Sequence, residues 1–378
     1  MQTECLLIGG GLSGLTAAWQ LSRAGVDVKL IEARNRFGGR VLTVAQQSGA
    51  MCDMGPSWFW PGQPLVASLL AHFDIPYYDQ YANGATLFEQ PNGSLVKALN
   101  TSPMAGSYRI GGGIGRLVDT IANEIDPADK LLGYAVTGLS IHDEMVVADC
   151  ISPSGKTRIQ ARQVALAIPP RLIAELSFTP ELPSGTVQTL TSTPTWMAGH
   201  AKFFALYERP FWREQGLCGS IISRRGPLAE IHDASPNSGQ VFALFGFAGI
   251  DAESRTAMGQ TEFIHRAKQQ LAAIFGEEAN DPIEVYFQDW SREEFTASLA
   301  DRQPQTNHPQ YGLTLHLGDF WESKLAFISS ETSYSNGGLI EGALESGARY
   351  AKQITDLEMP IADVTAIPHK ASMDWDWL

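Results

Sequence analysis

Hydrophobic and polar positions along the first forty residues predict a strand, a helix and a second strand. Residues 4–8 form a short apolar run typical of a buried strand. Apolar positions then repeat at helical spacing over residues 12–24, and Gly25 follows as a left-handed cap would. Residues 26–31 are again apolar over a strand length. This order of elements predicts a βαβ unit.

The turn between the first strand and the helix carries three glycines at the spacing of a dinucleotide fingerprint. Gly9 permits the tight turn, Gly11 lets the backbone approach a pyrophosphate, and Gly14 lets the helix pack closely on the sheet. Amides at the start of the helix would hold the phosphates, and Glu32, at the end of the second strand, would bind a ribose. The pattern predicts a dinucleotide site. It does not distinguish NAD from FAD, because both use this arrangement.

A basic, glycine-containing segment follows directly. Gly38 and Gly39 precede Arg40, so the chain can bend close to a diphosphate while the guanidinium supplies a charged clamp. Arg36 lacks this glycine context, and we interpret it as part of a basic surface turn.

The rest of the chain changes character in its middle part. Residues 171–317 contain several prolines, strand-like runs at 201–207, 241–247 and 283–287, and one clear amphipathic helix that ends at Gly276. We predict a substrate domain with a sheet and covering helices. Near the end, apolar positions from Leu339 to Ile354 lie along one stripe of a further helix.

Composition excludes several classes of protein. The chain has 378 residues, is 44% hydrophobic and carries a formal net charge of −14. These values indicate a globular protein of about two domains, and the acidic balance argues against nucleic acid or an anionic membrane as the main partner. The four cysteines and the histidines show no metal-ligand spacing, so no metal is expected. Because no signal peptide or membrane span is found in the sequence, we expect a cytoplasmic protein.

Several separate segments resemble the flavin-containing amine oxidase family, which includes monoamine and polyamine oxidases. The matching segments, in chain order, are residues 32–40, 53–58, 108–113, 134–136 with 164–170, and 331–343. The resemblance implies an α/β fold in which a Rossmann-like FAD-binding domain of the GR2 type is interleaved with an α+β substrate domain.

The same resemblance implies how the chain is divided. The FAD-binding domain is expected to comprise residues 1–75, 106–170 and 318–360, and the substrate domain residues 76–105 and 171–317. Residues 361–378 would form a C-terminal tail.

Together with the glycine fingerprint, the resemblance implies a set of site residues. Those expected to bind FAD are Gly9, Gly11, Leu12, Ser13, Gly14, Glu32, Ala33, Arg34, Gly39, Arg40, Val41, Gly55, Pro56, Ser57, Val136, Trp290, Glu331, Gly338, Leu339 and Ile340. Those expected near the substrate are Trp58, Ala300 and Leu339.

Lys202 interrupts an otherwise apolar strand-like run. A lysine there either points to solvent from an edge strand or reaches into a cavity where its charge is needed. The surrounding segment resembles the family strand whose lysine holds a water at the flavin, so we predict a catalytic role. The alternative is an exposed lysine on a sheet edge.

The sequence departs from the family at three places. Two positions that carry aromatic rings around the amine in many members correspond to Ala300 and Leu339, and neither residue is aromatic. The position that carries a covalent flavin link in some members corresponds to Leu299, so FAD is expected to bind without a covalent bond. The stretch between Trp58 and Tyr108 is also short, which implies a smaller lid.

The predicted function is that of an FAD-dependent oxidoreductase. It would oxidise an amine by hydride transfer to flavin N5, with O2 as acceptor and H2O2 as product. No His/Asp or Ser/His constellation that would add a strong base is evident in the sequence. One alternative is a desaturase or protoporphyrinogen-type oxidase acting on a hydrophobic substrate; another is an FAD-binding redox or interaction module without turnover. An NAD dehydrogenase is a third.

Overall fold

A computed structural model describes residues 1–47, 49–303, 305 and 307–359 of the chain. The predicted C-terminal tail, residues 361–378, lies outside the described residues.

The strands of the described residues fall into two large sheets and two small ribbons. They are β1 (Gln2–Ile8), β2 (Val28–Glu32), β3 (Thr43–Ala45), β4 (Met51–Asp53), β5 (Tyr77–Asp79), β6 (Ala85–Glu89), β7 (Leu95–Leu99), β8 (Tyr108–Ile110), β9 (Lys130–Leu132), β10 (Ala135–His142), β11 (Met145–Ser152), β12 (Gly155–Leu166), β13 (Ser177–Thr179), β14 (Ala201–Tyr207), β15 (Leu217–Ser223), β16 (Leu228–Asp233), β17 (Phe242–Ala248), β18 (Glu284–Asp289) and β19 (Leu325–Phe327).

Helices connect these strands. They are α1 (Leu12–Arg23), α2 (Pro64–His72), α3 (Gly115–Asn123), α4 (Pro170–Ile173), α5 (Ser184–Ser192), α6 (Phe211–Glu214), α7 (Ala252–Met258), α8 (Gln260–Phe275) and α9 (Ile340–Thr355). None of the helices in the described part of the chain combines the length and hydrophobicity that a membrane span requires.

The first sheet has the parallel centre of a dinucleotide-binding domain. Its order is β13-β10-β11-β12-β1-β2-β9, with β19 also paired to β12. The strand β1 pairs in parallel with both β2 and β12, and α1 crosses between β1 and β2 as the sequence predicts. Helices α1 and α9 pack together over this sheet. The predicted α/β class with a Rossmann-like centre is therefore confirmed.

The second sheet has the order β18-β14-β17-β16-β15-β6-β7. Its central strands are antiparallel, and α8 covers one face with the apolar side chains of Phe263, Ala267 and Leu271. Strands β6 and β7 enter this sheet from the segment between β5 and β8, so the chain leaves the first sheet and returns to it twice.

The first sheet extends beyond residue 170, where the sequence places the start of the substrate domain. Strand β13 pairs with β10, and Ile173 and Leu190 from α4 and α5 pack in the core of the first sheet. The composition of the chain changes after the proline pair at residues 169–170, which suggests a new domain. The apolar side chains that follow are nevertheless buried against the first sheet, and this packing assigns them to it.

Candidate functional site

A cavity of about 770 Å³ is lined by residues of both sheets. One end is formed by the glycine turn after β1 and the end of β2, and the other by β14, β16 and β17 of the second sheet. The start of α9 reaches the wall through Gly338, Leu339 and Ile340. Segments from the beginning, middle and end of the chain therefore meet around one space.

The structure assigns different roles to the three fingerprint glycines. Gly9 has a φ of +109°, and a Cβ on Gly14 would lie 2.0 Å from the carbonyl oxygen of Gly9, so α1 packs against the end of β1 without room for any side chain. A Cβ on Gly11 would meet only the carbonyl oxygen of Gly38, at 3.9 Å. Gly11 lines the cavity, so the backbone is open to a ligand where the helix begins.

Glu32 is buried and held by two backbone amides. Oε2 accepts from the amide of Gly10 at 2.7 Å, and Oε1 accepts from the amide of Arg34 at 2.9 Å. These bonds fix the carboxylate at the end of β2, where it lines the cavity. The remaining acceptor positions of the carboxylate suit hydroxyl donors, as the predicted ribose contact requires.

Arg40 is half-buried and forms an ion pair with the buried carboxylate of Glu331. Its guanidinium contacts both carboxylate oxygens of Glu331, at 2.6 and 3.1 Å, and donates to Ser330 Oγ at 3.0 Å. The Arg40 charge lowers the pKa of Glu331 against the opposing effect of burial. Arg40 lines the cavity, whereas Glu331 lies behind it and orients it.

Arg36 differs from its interpretation as a surface basic turn. The side chain is half-buried, and it donates to the carbonyl oxygens of Phe37, Gly39 and Val41 at 3.2, 3.0 and 3.1 Å. Because these carbonyls belong to the Gly38–Gly39 bend, Arg36 holds that bend in shape. Gly38 in turn donates its amide to the carbonyl of Gly10 at 2.8 Å, which joins the two glycine segments.

These features fit the FAD that the sequence resemblance implies. The turn at Gly9–Gly11 leaves a cradle that side chains would fill, and α1 begins without a side-chain cap, so its first amides are available for phosphate oxygens. The buried carboxylate of Glu32 and the guanidinium of Arg40 supply an acceptor for hydroxyl groups and a positive charge on the same wall.

Lys202 lies in the wall of the cavity and not at a sheet edge. Its strand, β14, is flanked by β17 and β18, and the side chain is 2% exposed. Nζ donates to the carbonyl oxygens of Asp53 and Gly55 at 2.7 and 2.9 Å and to Ser57 Oγ at 2.5 Å. The exposed-edge alternative is therefore wrong.

Burial sets the electrostatics of Lys202. Desolvation lowers the pKa of its ammonium group to about 7, with a further lowering from Arg109 and an opposing effect from Asp53. The ring of Phe245 lies 4.0 Å from Nζ and offers a cation–π contact. All three N–H donors of the ammonium are directed to oxygens of the 53–57 segment, so Lys202 ties that segment to the second sheet.

Two tryptophans complete the middle of the cavity. Trp290 Nε1 donates to the carbonyl of Met54 at 2.9 Å, and Trp58 Nε1 donates to Gln80 Oε1 at 2.8 Å. Both rings line the cavity with their polar ends satisfied. Trp58 packs on Phe245 at a ring distance of 5.2 Å, so it stands on the floor formed by the second sheet.

Ala300 does not line the cavity, which corrects its assignment as a substrate residue. Ala300 and Leu299 are exposed, with Leu299 at 77%. Asp301 explains this placement, because its buried carboxylate accepts from Arg171 at 2.6 Å and from the amide of Thr195 at 2.9 Å. Anchoring Asp301 inward turns the two preceding residues toward solvent.

The remaining predicted residues are placed as follows. Those that line the cavity are Gly9, Gly11, Leu12, Ser13, Glu32, Ala33, Arg34, Gly39, Arg40, Val41, Gly55, Pro56, Ser57, Trp58, Val136, Lys202, Trp290, Gly338, Leu339 and Ile340. Gly14 and Glu331 do not line it: the first serves helix packing, and the second pairs with Arg40.

Non-covalent attachment of FAD gives a direct prediction. The position that would carry the link is the exposed aliphatic Leu299, and the four cysteines of the chain are buried away from the cavity. We expect acid precipitation of the purified yellow protein to leave the flavin absorbance in the supernatant. Colour retained in the washed pellet would contradict non-covalent binding.

Sequence reasoning missed a carboxylate–imidazole pair in the cavity wall. His232 Nε2 and Glu230 Oε1 are 2.5 Å apart, and His232 Nδ1 lies 3.3 Å from Ser220 Oγ. His232 is fully buried, and Glu230 lines the cavity. Because His232 does not line the cavity, this pair does not contradict the prediction that no His/Asp or Ser/His constellation adds a strong base. The signal was present: residues two apart in a strand share one face.

Glu230 belongs to a row of side chains that crosses three strands. Lys202 on β14 is paired with Phe247 on β17, and Phe247 is paired with Glu230 on β16. Directly paired residues project to the same face, so all three line the cavity floor. With strands about 4.8 Å apart, the backbones of Lys202 and Glu230 are separated by roughly 10 Å.

An aromatic cluster lies where α9 begins. The rings of Trp196 and His308 are 4.8 Å apart, and those of His308 and Tyr311 are 5.4 Å apart. A Cβ on Gly338 would lie 2.9 Å from the Tyr311 ring, and the φ of Gly338 is +75°, so glycine is needed there. Trp196 contributes an aromatic wall that the sequence did not reveal.

The family described as "Flavin containing amine oxidoreductase" matches residues 12–95 and 80–355 of the chain. Among similar curated proteins, the flavin-containing amine oxidase B of Sus scrofa is 24% identical, with 94% of this chain and 86% of that protein covered. The flavin-containing amine oxidase of Danio rerio is 23% identical, with 93% of this chain and 85% of that protein covered.

Solved structures show the same fold. A putrescine oxidase structure, wild type bound to putrescine, superposes with a TM-score of 0.77 at 20% identity and covers 94% of this chain and 100% of its own. The cyclohexylamine oxidase from Brevibacterium oxydans IH-35A superposes with a TM-score of 0.79 at 18% identity, with 94% of this chain and 99% of that chain covered.

Proposed function

Because this chain belongs to the family of flavin-containing amine oxidoreductases, we propose that it oxidises an amine with dioxygen as the electron acceptor. For a primary amine, the balanced reaction consumes one amine, one O2 and one water, and it yields an aldehyde, ammonia and H2O2. One observation carries the proposal: the buried ammonium group of Lys202 lies in the wall of the same cavity that the glycine fingerprint opens.

The chain's own residues divide the cavity into a cofactor part and a substrate part. FAD, when bound, supplies the acceptor for the hydride from the amine carbon and the group that reacts with dioxygen. The amides at the start of α1 would hold its pyrophosphate, Glu32 its ribose and Arg40 a phosphate charge. The start of α9, at Gly338–Ile340, would face the other end with its positive dipole.

Lys202 would act through its charge and its three hydrogen bonds. By holding Asp53, Gly55 and Ser57, it keeps the 53–57 segment rigid along the cavity. A cation in a dry wall stabilises negative charge that develops during the reduction of dioxygen. Because its three donors are occupied, a water at this place would bond to Ser57 or displace one of these acceptors.

The substrate part favours an amine with a second cationic group. Its floor is aromatic, with Phe247 between Lys202 and Glu230, so it suits the hydrocarbon portion of an amine. Glu230 Oε2 has no hydrogen-bond partner among the described residues, since the pairing with His232 uses Oε1. That oxygen is available to an ammonium group.

The role of Glu230 gives a prediction about specificity. We expect Glu230→Gln to raise KM for a diamine such as putrescine by about 10-fold or more, because a charged hydrogen bond contributes about 1.5–3 kcal/mol. KM for a monoamine of similar length should change little. Steady-state peroxide assays on both substrates provide the measurement, with the exposed Glu253→Gln as the matched control. An equal change for both amines would remove Glu230 from substrate recognition.

The proposed activity is tested by mixing the FAD-loaded protein with a panel of amines without oxygen. We expect at least one amine to bleach the flavin absorbance, and the same amine to yield H2O2 in air. Bleaching by a hydrophobic carbon skeleton alone would favour a desaturase or protoporphyrinogen-type oxidase. Bound FAD that no donor reduces would indicate a module without turnover.

A further inference from the structure

A second, smaller cavity lies behind the segment that Lys202 holds. It measures about 200 Å³ and is lined by Asp53, by Tyr78 and Arg109 from the β5–β8 ribbon, and by residues 236–238 and 240–241. Asp53 connects the two cavities. Its backbone carbonyl accepts from Lys202, and the residue also lines the second cavity.

Arg109 is a buried cation with unused donors. The residue is 3% exposed, and its Nε and Nη1 atoms have no hydrogen-bond partner among the described residues. Its one recorded ion pair is loose, since Nη2 lies 3.8 Å from Asp53 Oδ2. Buried guanidinium donors are normally satisfied, and an unsatisfied one that lines a cavity points to a missing acceptor.

The Asp53 carboxylate does not supply the acceptor that the unpaired donors of Arg109 lack. Its Oδ1 accepts from Thr43 Oγ1 at 2.5 Å and from the amide of Ile114 at 2.9 Å, so the carboxylate is fixed toward the start of α3. Asp53 is also the acidic residue shared by two buried cations, Arg109 and Lys202. With Lys202 protonated and Asp53 ionised, these three side chains therefore have an excess of one positive charge.

Neutral polar groups surround the remaining space. Tyr78 is paired with Arg109 across the antiparallel ribbon, so both side chains project to the same face. Asn237, Ser238 and Gln240 also line the cavity. The lining of this cavity contains one basic residue, several hydrogen-bonding side chains and a single acid, which suits a small anion.

We propose that the second cavity binds a small oxyanion, a carboxylate or an inorganic one, through the guanidinium group of Arg109. The planar fork of a guanidinium matches two oxygens of such an anion. The anion would balance the charge of the buried group and would brace Asp53 from the side opposite Lys202. This site is distinct from the cavity that we assign to FAD and amine, and it does not depend on that assignment.

The experiment uses FAD-loaded protein, so that the pyrophosphate site is occupied. Thermal unfolding is followed while acetate or phosphate replaces a bulky sulfonate buffer anion at constant ionic strength. We expect a saturable rise in Tm, because a ligand that binds the native state stabilises it. Acetate and phosphate distinguish a carboxylate from an inorganic occupant.

Arg109→Gln should weaken the apparent affinity at least about 10-fold, since it removes a charged donor pair. The matched control is Arg158→Gln, which removes the same charge from a side chain that is 76% exposed. The parent and the control should respond alike. An anion response that is equal in all three proteins, or a parent with no saturable response, would overturn the site.

Tyr78→Phe keeps the guanidinium of Arg109 and provides a second test of the anion site if Arg109→Gln does not fold. It removes only the hydroxyl of a residue that lines the cavity, and we expect the affinity for acetate to fall several-fold while the Tm without anion stays close to that of the parent. Crystals of the FAD-loaded protein soaked in bromide should show anomalous density beside Arg109. Unchanged affinity in Tyr78→Phe together with no such density would contradict the proposal.

Discussion

Gly14→Ala is expected to produce protein that is largely free of flavin and less stable by about 3 kcal/mol. A Cβ at this position would lie 2.0 Å from the carbonyl oxygen of Gly9 and 3.2 Å from its carbonyl carbon. Neither neighbour is a flexible side chain, so α1 must move away from β1. The amides that would bind the pyrophosphate move with the helix, and FAD loses its anchor.

The measurement is the ratio of flavin to protein absorbance after purification, together with denaturant unfolding of the apoproteins. Gly185→Ala is the matched control, because a Cβ there meets nothing within 4 Å and the residue lies in α5. Alanine at that helical position should be neutral or slightly stabilising, by up to about 1 kcal/mol. Full flavin occupancy in Gly14→Ala would show that the contact is relieved without moving the helix.

Lys202→Met is expected to slow the reaction of the reduced enzyme with dioxygen by roughly 10²–10³-fold, the range found when a preorganised electrostatic group is removed. Methionine has a similar length but no charge, so the wall keeps its volume and loses the cation. Reduction by an amine in the absence of oxygen should slow less. Stopped-flow spectroscopy measures the two half-reactions separately, and an equal effect on both would contradict a role specific to oxygen.

The pH dependence of the same variant tests the charge directly. Because burial lowers the pKa of Lys202 to about 7, the cation is lost as the pH rises through that value. The oxidative rate of the parent should therefore fall above pH 7, while that of Lys202→Met should not show this fall. Lys97→Met, on an exposed strand position, should behave as the parent in both respects.

Helices and strands were predicted closely wherever the apolar residues repeat at one regular spacing. The helix predicted over residues 12–24 is observed at Leu12–Arg23, and the strand predicted at 201–207 is observed with the same bounds. The role of Gly14 follows the argument from the sequence, because its close contact is with the carbonyl oxygen of Gly9 in the same turn. Short-range sterics are encoded locally and can be derived locally.

The predictions were wrong where contacts with distant segments decide whether a residue faces solvent or the cavity. Ala300 was assigned by counting along a segment, but the buried contacts of Asp301 turn it toward solvent. Arg36 was interpreted as a surface residue because its carbonyl acceptors, in the glycine bend, become available only when that bend folds. Glu230 and His232 showed strand spacing, but nothing in the sequence indicated which face meets the cavity.

By itself, the sequence determined the family, the dinucleotide fold and the first residues of α1 and β14, because glycine geometry and apolar periodicity act over short distances. Only the tertiary structure decided that Lys202 reaches Asp53, Gly55 and Ser57, that Glu230 stands in line with it, and that Arg109 is buried with unused donors. Those facts depend on strand pairing and burial between segments up to about 150 residues apart, where the energy of a contact depends on what surrounds it.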